Sequence, residues 1–240
     1  MIDWLRSASE DPVIEVAGRE LPVAIRRHAR AKRLTMRLAP DGSEVRVTLP
    51  RWCRTSDALV FARARADWLE RQLSAVPQGA PPVPGGKLRY RGEGLLIAWD
   101  KAHRRTPRLD GARVLVGGPE ESLPVRLQRW LEGEARELLA EDLAFYCERA
   151  GRIAPQLRLS RAQRRWGSCS DRAAIRINWR LVQAPNHVRR SVVAHEVAHL
   201  AHFDHSPAFH AELGRLFEGD IRNADRWLKE HGRELYATFG

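Results

Sequence analysis

The sequence has few of the features that mark an extracellular or membrane-bound protein. It contains only three cysteines, Cys53, Cys147 and Cys169, which are widely spaced and odd in number. This argues against a disulfide framework and, because no CxxC pair occurs, against a zinc finger. No apolar run reaches the roughly 18 residues that a membrane-spanning helix needs, and residues 1–6 carry charge where a secretory signal would be apolar. We therefore expect a cytoplasmic protein with no membrane association.

Lysine is also scarce, so the formal net charge of +11 comes almost entirely from arginine. A basic surface attracts nucleic acid, nucleotides or other polyanions, and nucleic-acid association is therefore one expectation. The other interpretation is an arginine-rich composition spread over solvated faces. Net charge bears on association and not on fold, so both interpretations stay open.

The first half of the chain is mostly strand-like. Alternating apolar residues on either side of Asp41-Gly42 predict a β-hairpin, and apolar positions at helical spacing predict one helix over residues 55–74. The proline- and glycine-rich residues 76–86 predict a linker or long loop. Short strands are predicted at residues 88–90, 95–99 and 113–116.

The second half is mostly helical. Helical periodicity predicts helices over residues 123–150 and 186–203, and strands are predicted at 156–160 and 175–181. The 240 residues suffice for one large domain or two small ones. We therefore predict an α+β fold. Its two parts are a β-rich amino-terminal region with one helix, residues 1–121, packed on a second domain, residues 122–240.

The sequence from His195 to His199, an HExxH motif, lies inside the predicted helix over 186–203. Residues four apart share a helix face, so both imidazoles can bind one metal ion. Glu196 lies about 100° round the helix, where it can hold a metal-bound water without being a ligand. Zinc lowers the pKa of such a water to about 7, and a glutamate can accept its proton. The motif predicts a zinc-dependent hydrolase with Glu196 as its catalytic residue.

A catalytic zinc needs a third protein ligand. The candidates are His202, His205, His210 and Glu212, since five of the nine histidines fall between His195 and His210. His202 is about 10 Å from His195 along a regular helix, too far to share the ion. His205 precedes Ser206-Pro207, a helix-start signal, so it lies in a connection that can fold back on the ion. We predict His205, with His210 and Glu212 as the alternatives.

Several motifs together resemble the YgjP-like metal-dependent hydrolases. Residues 195–199 followed by 204–209 (DHSPAF) carry the resemblance, as do 165–170 (RWGSCS) followed by 177–181 (INWRL). The amino-terminal hairpin and the helix around residues 67–69 are also similar. The resemblance therefore extends over most of the chain.

This resemblance implies a zincin-like catalytic domain with an HExxH active-site helix. It implies His195, His199 and His205 as zinc ligands and Glu196 as the catalytic residue. It also implies relatedness to the SprT-like proteases, which act on proteins bound to DNA.

The segment from Trp166 to Arg180 is a candidate for substrate binding. A hairpin here would line the cleft, and its exposed edge would pair with an extended substrate backbone. Trp166, Arg176, Asn178 and Arg180 are the candidate substrate-binding residues, the last three sharing one face of a predicted strand. The alternative is that Trp166 packs in the core and Gly167 only makes a turn.

The predicted function is a metallopeptidase that uses zinc-bound water activated by Glu196. The alternative is a metal-dependent nucleoside triphosphate (UTP) pyrophosphatase, because arginines that can grip phosphates are dense around the motifs. Against it, the sequence has no Gly-rich phosphate loop, and phosphoryl transfer usually recruits carboxylate-held magnesium. A DNA-associated protease or a nucleic-acid-binding module is the third interpretation. The substrate is accordingly a polypeptide or a nucleotide.

Overall fold

A computed structural model describes residues 12–76, 79–170 and 174–239. They fall into two compact units that divide between residues 78 and 79. Both strands and helices are present, so the α+β class is confirmed. None of the helices in these three segments is long and apolar enough to cross a membrane. The charged start at residues 1–6 lies outside the described residues.

The division differs from the one predicted after residue 121, because the strands between residues 87 and 116 belong to the second unit. Their inward side chains Leu88, Ile97 and Val114 are buried in one core with Leu127 and Leu131 of the long helix that follows. The boundary between the two units therefore depends on the core in which these strands are buried. The alternating pattern of a strand predicts which face is buried, but not which element packs against that face.

The first unit contains a four-stranded sheet and two helices. Its strands are β1 (Val13–Val16), β2 (Arg19–Arg27), β3 (Thr35–Leu38) and β4 (Val45–Leu49), in the order β1-β2-β4-β3. The predicted hairpin is confirmed: β3 and β4 are antiparallel, with Leu38 opposite Val45. Gly42 in the connection has a φ of 73°, a conformation that glycine adopts without strain.

The single helix predicted over residues 55–74 is instead two helices, α1 (Thr55–Arg63) and α2 (Ala66–Ser74). Arg65 leaves the helical region with φ −121° and ψ 23°. The break allows Ala62 of α1 and Leu69 of α2 to be buried in the same core cluster. Helical periodicity is present on both sides of the break, so the sequence pattern alone did not reveal it.

The second unit begins with another four-stranded sheet. Its strands are β5 (Lys87–Tyr90), β6 (Glu93–Trp99), β7 (Arg108–Asp110) and β8 (Arg113–Val116), in the order β5-β6-β8-β7. The three predicted strands are confirmed, and β7 is an addition. It pairs with β8 across a tight turn at Gly111, whose φ is 57°.

The rest of the second unit is a small sheet among helices. The strands β9 (Leu157–Ser160), β10 (Gly167–Cys169) and β11 (Ile175–Asn178) form a sheet in the order β10-β11-β9. The helices are α3 (Leu123–Arg149), α4 (Asn186–Ala198), α5 (Pro207–Leu216), α6 (Ile221–His231) and α7 (Glu234–Ala237). Fully buried Trp179 and Tyr146 are among the largest side chains of its core.

Two predicted elements of this unit end earlier than expected. The strand predicted over 175–181 stops at Asn178, whose side chain accepts a hydrogen bond from the Arg180 amide and starts a 3₁₀ turn over Trp179–Gln183. The helix predicted over 186–203 stops at Ala198. Both elements end where local hydrogen bonds pair polar groups that the regular strand or helix would otherwise leave unpaired.

Helix α4 is fastened to α3 by a buried ion pair. The Arg189 Nε donates to Asp142 Oδ2 over 2.7 Å, and both side chains are only 4% exposed. Arg190 also donates to Asp142 over 3.2 Å, and Arg189 donates to the Asn186 side chain over 2.8 Å. These contacts fix the amino-terminal half of α4 on α3.

We expect Asp142→Ala to lower the free energy of unfolding by about 3–5 kcal/mol, because it leaves the Arg189 guanidinium buried without a counter-charge. The control is Asp110→Ala, which breaks an exposed pair with Arg113 and costs about 0–1 kcal/mol. Urea denaturation measures both. Equal losses for the two variants would contradict a stabilising role for the buried pair.

Candidate metal centre

The last turn of α4 carries His195 and Glu196, and His199 caps its carboxyl end. The helix is buried on most of its surface, with Val188, Val193 and Val197 in the core. His195 and His199 are partly exposed, so both rings are accessible at this end of the helix.

Three imidazoles meet at this place. The Nε2 atom of His195 lies 3.2 Å from Nε2 of His199 and 3.3 Å from Nε2 of His205. Two nitrogens that bind one tetrahedral zinc at the usual distance are about 3.3–3.4 Å apart. In the part of the chain that the structure describes, this is the one group of three or more His, Cys, Asp or Glu residues with converging ligand atoms. The donor set and its spacing therefore fit a zinc ion with a position left for water or substrate.

The early end of α4 brings His205 into this group. After the turn at His199, the chain reverses and α5 begins at Pro207, where the Ser206 side chain caps the helix by accepting from the Phe209 amide over 3.4 Å. The His199 Nδ1 is 2.9 Å from the His202 carbonyl, so that nitrogen carries the proton and donates. Its Nε2 is left as a free electron-pair donor, as metal-binding histidines require.

Phe209 forms the floor beneath the three rings. It is fully buried, and its ring centroid lies 4.9, 4.6 and 4.8 Å from those of His195, His199 and His205. Sequence reasoning gave it no role, although it follows His205 by four residues at the start of a helix. The apolar floor excludes water on one side and holds the imidazoles at fixed tilts.

The other predicted ligands lie outside the group. Glu212 forms an ion pair with Arg215 over 2.7 Å, and this hydrogen bond lowers the pKa of its carboxyl. His202 contributes its backbone carbonyl to His199, and His210 is exposed on α5. Of the four candidates for the third ligand, His205 is the one whose ring nitrogen the structure places beside the other two.

Glu196 is buried beside the histidines, with 5% of its surface exposed. Burial raises the pKa of its carboxyl to about 7, against the lowering effects of the Arg165 charge and a hydrogen bond from the Cys169 backbone. Its Oε2 atom has no hydrogen-bond partner among the described residues. Burial, followed by the neighbouring histidines, lowers the pKa of His195 to about 4, which keeps this ring neutral. A neutral imidazole is the form that binds a metal.

Strand β10 lies directly against Glu196. A Cβ atom added at Gly167 would lie 2.7 Å from the Glu196 Cγ and 2.8 Å from its Cδ. Gly167 pairs with Ile177 of β11 and does not make the turn that was one of the two interpretations of the sequence. Only glycine lets the strand approach the carboxylate this closely.

A cavity of about 240 Å³ opens beside His195 and Glu196. Its walls come from β10, α4, α5 and α6. Besides these two residues it is lined by Trp166, Gly167, Ser191, Val192, Leu213, Ile221, Asp225 and Leu228. No lysine or arginine within residues 12–76, 79–170 and 174–239 lines it.

The structure brings one of the four predicted substrate-binding residues to this cavity, Trp166, whose ring also packs 5.5 Å from that of Tyr236. Asn178 is fully buried and donates to the Ala162 carbonyl over 2.8 Å. Arg180 is 3% exposed and donates to the Phe239 carbonyl over 2.9 Å.

Burial leaves Asn178 and Arg180 no surface to offer a substrate, and their side chains instead tie the 3₁₀ turn to the carboxyl-terminal residues. The expected shared face fails because the strand ends at Asn178 and Arg180 belongs to the turn. Arg176 is exposed on β11, opposite Ser168 and Arg158.

We expect Gly167→Ala to displace the Glu196 carboxylate and to lower the free energy of unfolding by about 1–3 kcal/mol. The control is Gly133→Ala in α3, where an added Cβ meets nothing within 4 Å and should stabilise the helix by about 0.5–1 kcal/mol. Thermal unfolding distinguishes the two. A Gly167→Ala protein as stable as the parent would show that β10 does not confine the carboxylate.

The comparison with protein families agrees with this site. A sequence model described as YgjP-like, metallopeptidase domain matches residues 32–231, a range that includes the three histidines, Glu196 and the cavity. No curated protein and no solved structure matched the chain. The match covers most of the sequence and names a class of metal-dependent hydrolase, so the chain belongs to the YgjP-like family of metallopeptidase domains.

Proposed function

We propose that this protein is a zinc-dependent metallopeptidase in which His195, His199 and His205 hold the metal and Glu196 is the catalytic residue. The three converging Nε2 atoms support the choice of zinc, which prefers nitrogen ligands in tetrahedral geometry. The observation that carries the choice of peptide as substrate is the cavity that opens on Glu196, which is lined mostly by apolar residues and, among the described residues, by no lysine or arginine.

The chain's own residues have separate tasks in this reaction. When bound, zinc supplies a Lewis acid that polarises a carbonyl and lowers the pKa of water. The free Oε2 of Glu196 accepts a proton from the attacking water and passes it to the leaving nitrogen. Gly167 keeps β10 close enough to confine this carboxylate. The outer edge of β10, which has no strand partner in the described sheet, is available to pair with an extended substrate backbone.

The charge around the cavity favours a polypeptide over a nucleoside triphosphate. The cavity walls are apolar apart from Ser191, His195 and the acids Glu196 and Asp225. A triphosphate entering it would meet two carboxylates and none of the arginines that phosphate recognition normally uses. An apolar side chain of a polypeptide instead removes the surfaces of Val192 and Leu228 from water.

Two other activities are weaker proposals. The UTP pyrophosphatase is supported by Arg165, whose charge acts on Glu196 although it does not line the cavity. Association with nucleic acid, as in a DNA-associated protease, is supported by the exposed pair of Arg176 and Arg158 on neighbouring strands. Arg172, which the sequence also offers for phosphate binding, lies outside the described residues.

The purified protein should contain about one zinc ion per chain, as expected for a tetrahedral site with three imidazole ligands. Replacing His205 by Ala should strongly reduce the zinc content, because it removes one of three converging nitrogens. His210→Ala, which removes an exposed histidine of the same segment, should leave the zinc content unchanged. Elemental analysis after dialysis measures both, and the reverse dependence would exclude His205 as the ligand.

Glu196→Gln should keep the zinc and lower turnover by roughly 10²–10⁴-fold, the range expected for loss of a general base. The assay offers zinc-loaded protein an unfolded polypeptide and UTP in separate reactions. Cleavage of the polypeptide by the parent and its loss in the variant support the peptidase. Hydrolysis of UTP alone would replace it with the pyrophosphatase, and loss of zinc in the variant would make Glu196 a ligand.

A further inference from the structure

The first unit contains a second cavity, of about 540 Å³, that the metallopeptidase does not use. It lies between strand β3 and helices α1 and α2. We call it the β3 groove, and it is lined by Arg33, Leu34, Thr35, Met36, Phe61, Arg65 and Trp68. The first four of these residues lead into or belong to β3, and the others lie on α1, at the helix break and on α2.

Strand β3 is the last strand of its sheet. Its one strand partner among the described residues is β4, so the backbone donors and acceptors on its other side are unpaired by any strand. An extended chain can add to such an edge by main-chain hydrogen bonds, while its alternate side chains enter an adjoining groove. The β3 groove lies beside this edge and is the groove that the side chains of an added strand could enter.

The floor of the groove is apolar. Leu34, Met36, Phe61 and Trp68 line it and are each only partly buried. Unlike the core residues beneath them, these side chains retain surface that a bound peptide side chain would remove from water.

Two arginines give the groove its charge. The Arg65 guanidinium stacks 3.7 Å above the centroid of the Phe61 ring and donates to the Phe61 carbonyl over 3.3 Å, which fixes its position. Arg33 is exposed at the entry to β3. Within the described segments neither arginine forms an ion pair with a carboxylate. A planar guanidinium without a counter-charge is suited to bind a carboxylate through two hydrogen bonds.

From the free strand edge, the apolar floor and the two guanidinium groups without a carboxylate partner, we infer that the β3 groove binds an extended polypeptide segment whose groove-facing side chains, one at every second residue, include both acidic and apolar ones. Single-stranded nucleic acid fits less well, because stacking needs open aromatic faces and Arg65 already covers one face of Phe61. The metal centre lies in the other compact unit, so this inference does not depend on the proposed peptidase activity.

The binding test uses the full chain carrying Glu196→Gln, so that a peptide is not cleaved during the measurement. The probe, called the Glu-Val peptide, is a fluorescein-labelled peptide of about eight residues in which pairs of Glu alternate with pairs of Val, so that each face of the added strand carries both residue types. A Lys-Val peptide of the same length and a labelled oligothymidylate are compared by fluorescence anisotropy. We expect the Glu-Val peptide to bind and the Lys-Val peptide not to bind.

Arg65→Glu tests the site itself. It should lower the affinity for the Glu-Val peptide by about tenfold or more, the scale of a lost charged hydrogen bond. It should also allow the Lys-Val peptide to bind. Gain of the second peptide proves that the variant is folded. The matched control is Arg19→Glu, an identical change of charge at an exposed position on β2 outside the groove, which should leave both affinities within about twofold.

Three results would overturn the inference. They are absence of binding by the Glu-Val peptide, equal weakening by Arg65→Glu and Arg19→Glu, and tighter binding of the oligothymidylate that Arg65→Glu abolishes. The first result would exclude a peptide site. The second would show that the peptide is attracted only by the overall positive charge of the protein, and the third would make the groove a nucleic-acid site. Because binding is measured without hydrolysis, failure of the peptidase assay would not affect these outcomes.

Discussion

The candidate metal centre depends on the contact between one phenylalanine ring and three imidazoles. Phe209 lies under His195, His199 and His205 at centroid distances below 5 Å. At His195, where burial lowers the pKa to about 4, such surroundings disfavour imidazolium and favour the neutral ring that a metal requires. Since Phe209 belongs to α5 and the HExxH residues to α4, the same contact also joins the two helices at the site.

Helix α4, which carries His195 and Glu196, is held in place near both of its ends. Near its amino-terminal end, Arg189 is held by the buried carboxylate of Asp142, and near its carboxyl end Glu196 is confined by Gly167. A helix fixed at both ends cannot rotate or slide without breaking a buried ion pair or colliding with β10. The position of Glu196 relative to the histidines is therefore set by packing on α3 and on the small sheet, and less by the motif itself.

Local sequence patterns predicted the parts of the site that depend on local structure. The spacing of His195 and His199 determines their shared face, and Ser206-Pro207 marks the start of α5, so His205 was assigned to the connection. The end of α4 at Ala198 was not predictable, because apolar residues at helical spacing continue beyond it.

The burial of Asn178 and Arg180 was also beyond the reach of local patterns. Their partners at Ala162 and Phe239 are distant in sequence, and a period-two pattern cannot distinguish a strand from a strand that ends in a 3₁₀ turn. The approach of Gly167 to Glu196 likewise joins residues that only the tertiary structure brings together.

Because Gly167 lies against Glu196, the side of the cavity formed by β10 has little freedom to change in sequence. The β10 wall cannot take a larger residue at that position without moving the carboxylate of Glu196, the proposed catalytic residue. Another part of the wall is formed by Leu213 of α5 with Ile221 and Leu228 of α6. In the proposed peptidase, changes in the size of those three side chains would alter which substrates fit without adding a side chain against Glu196, so selectivity could change at one part of the wall while the reacting group stays at another.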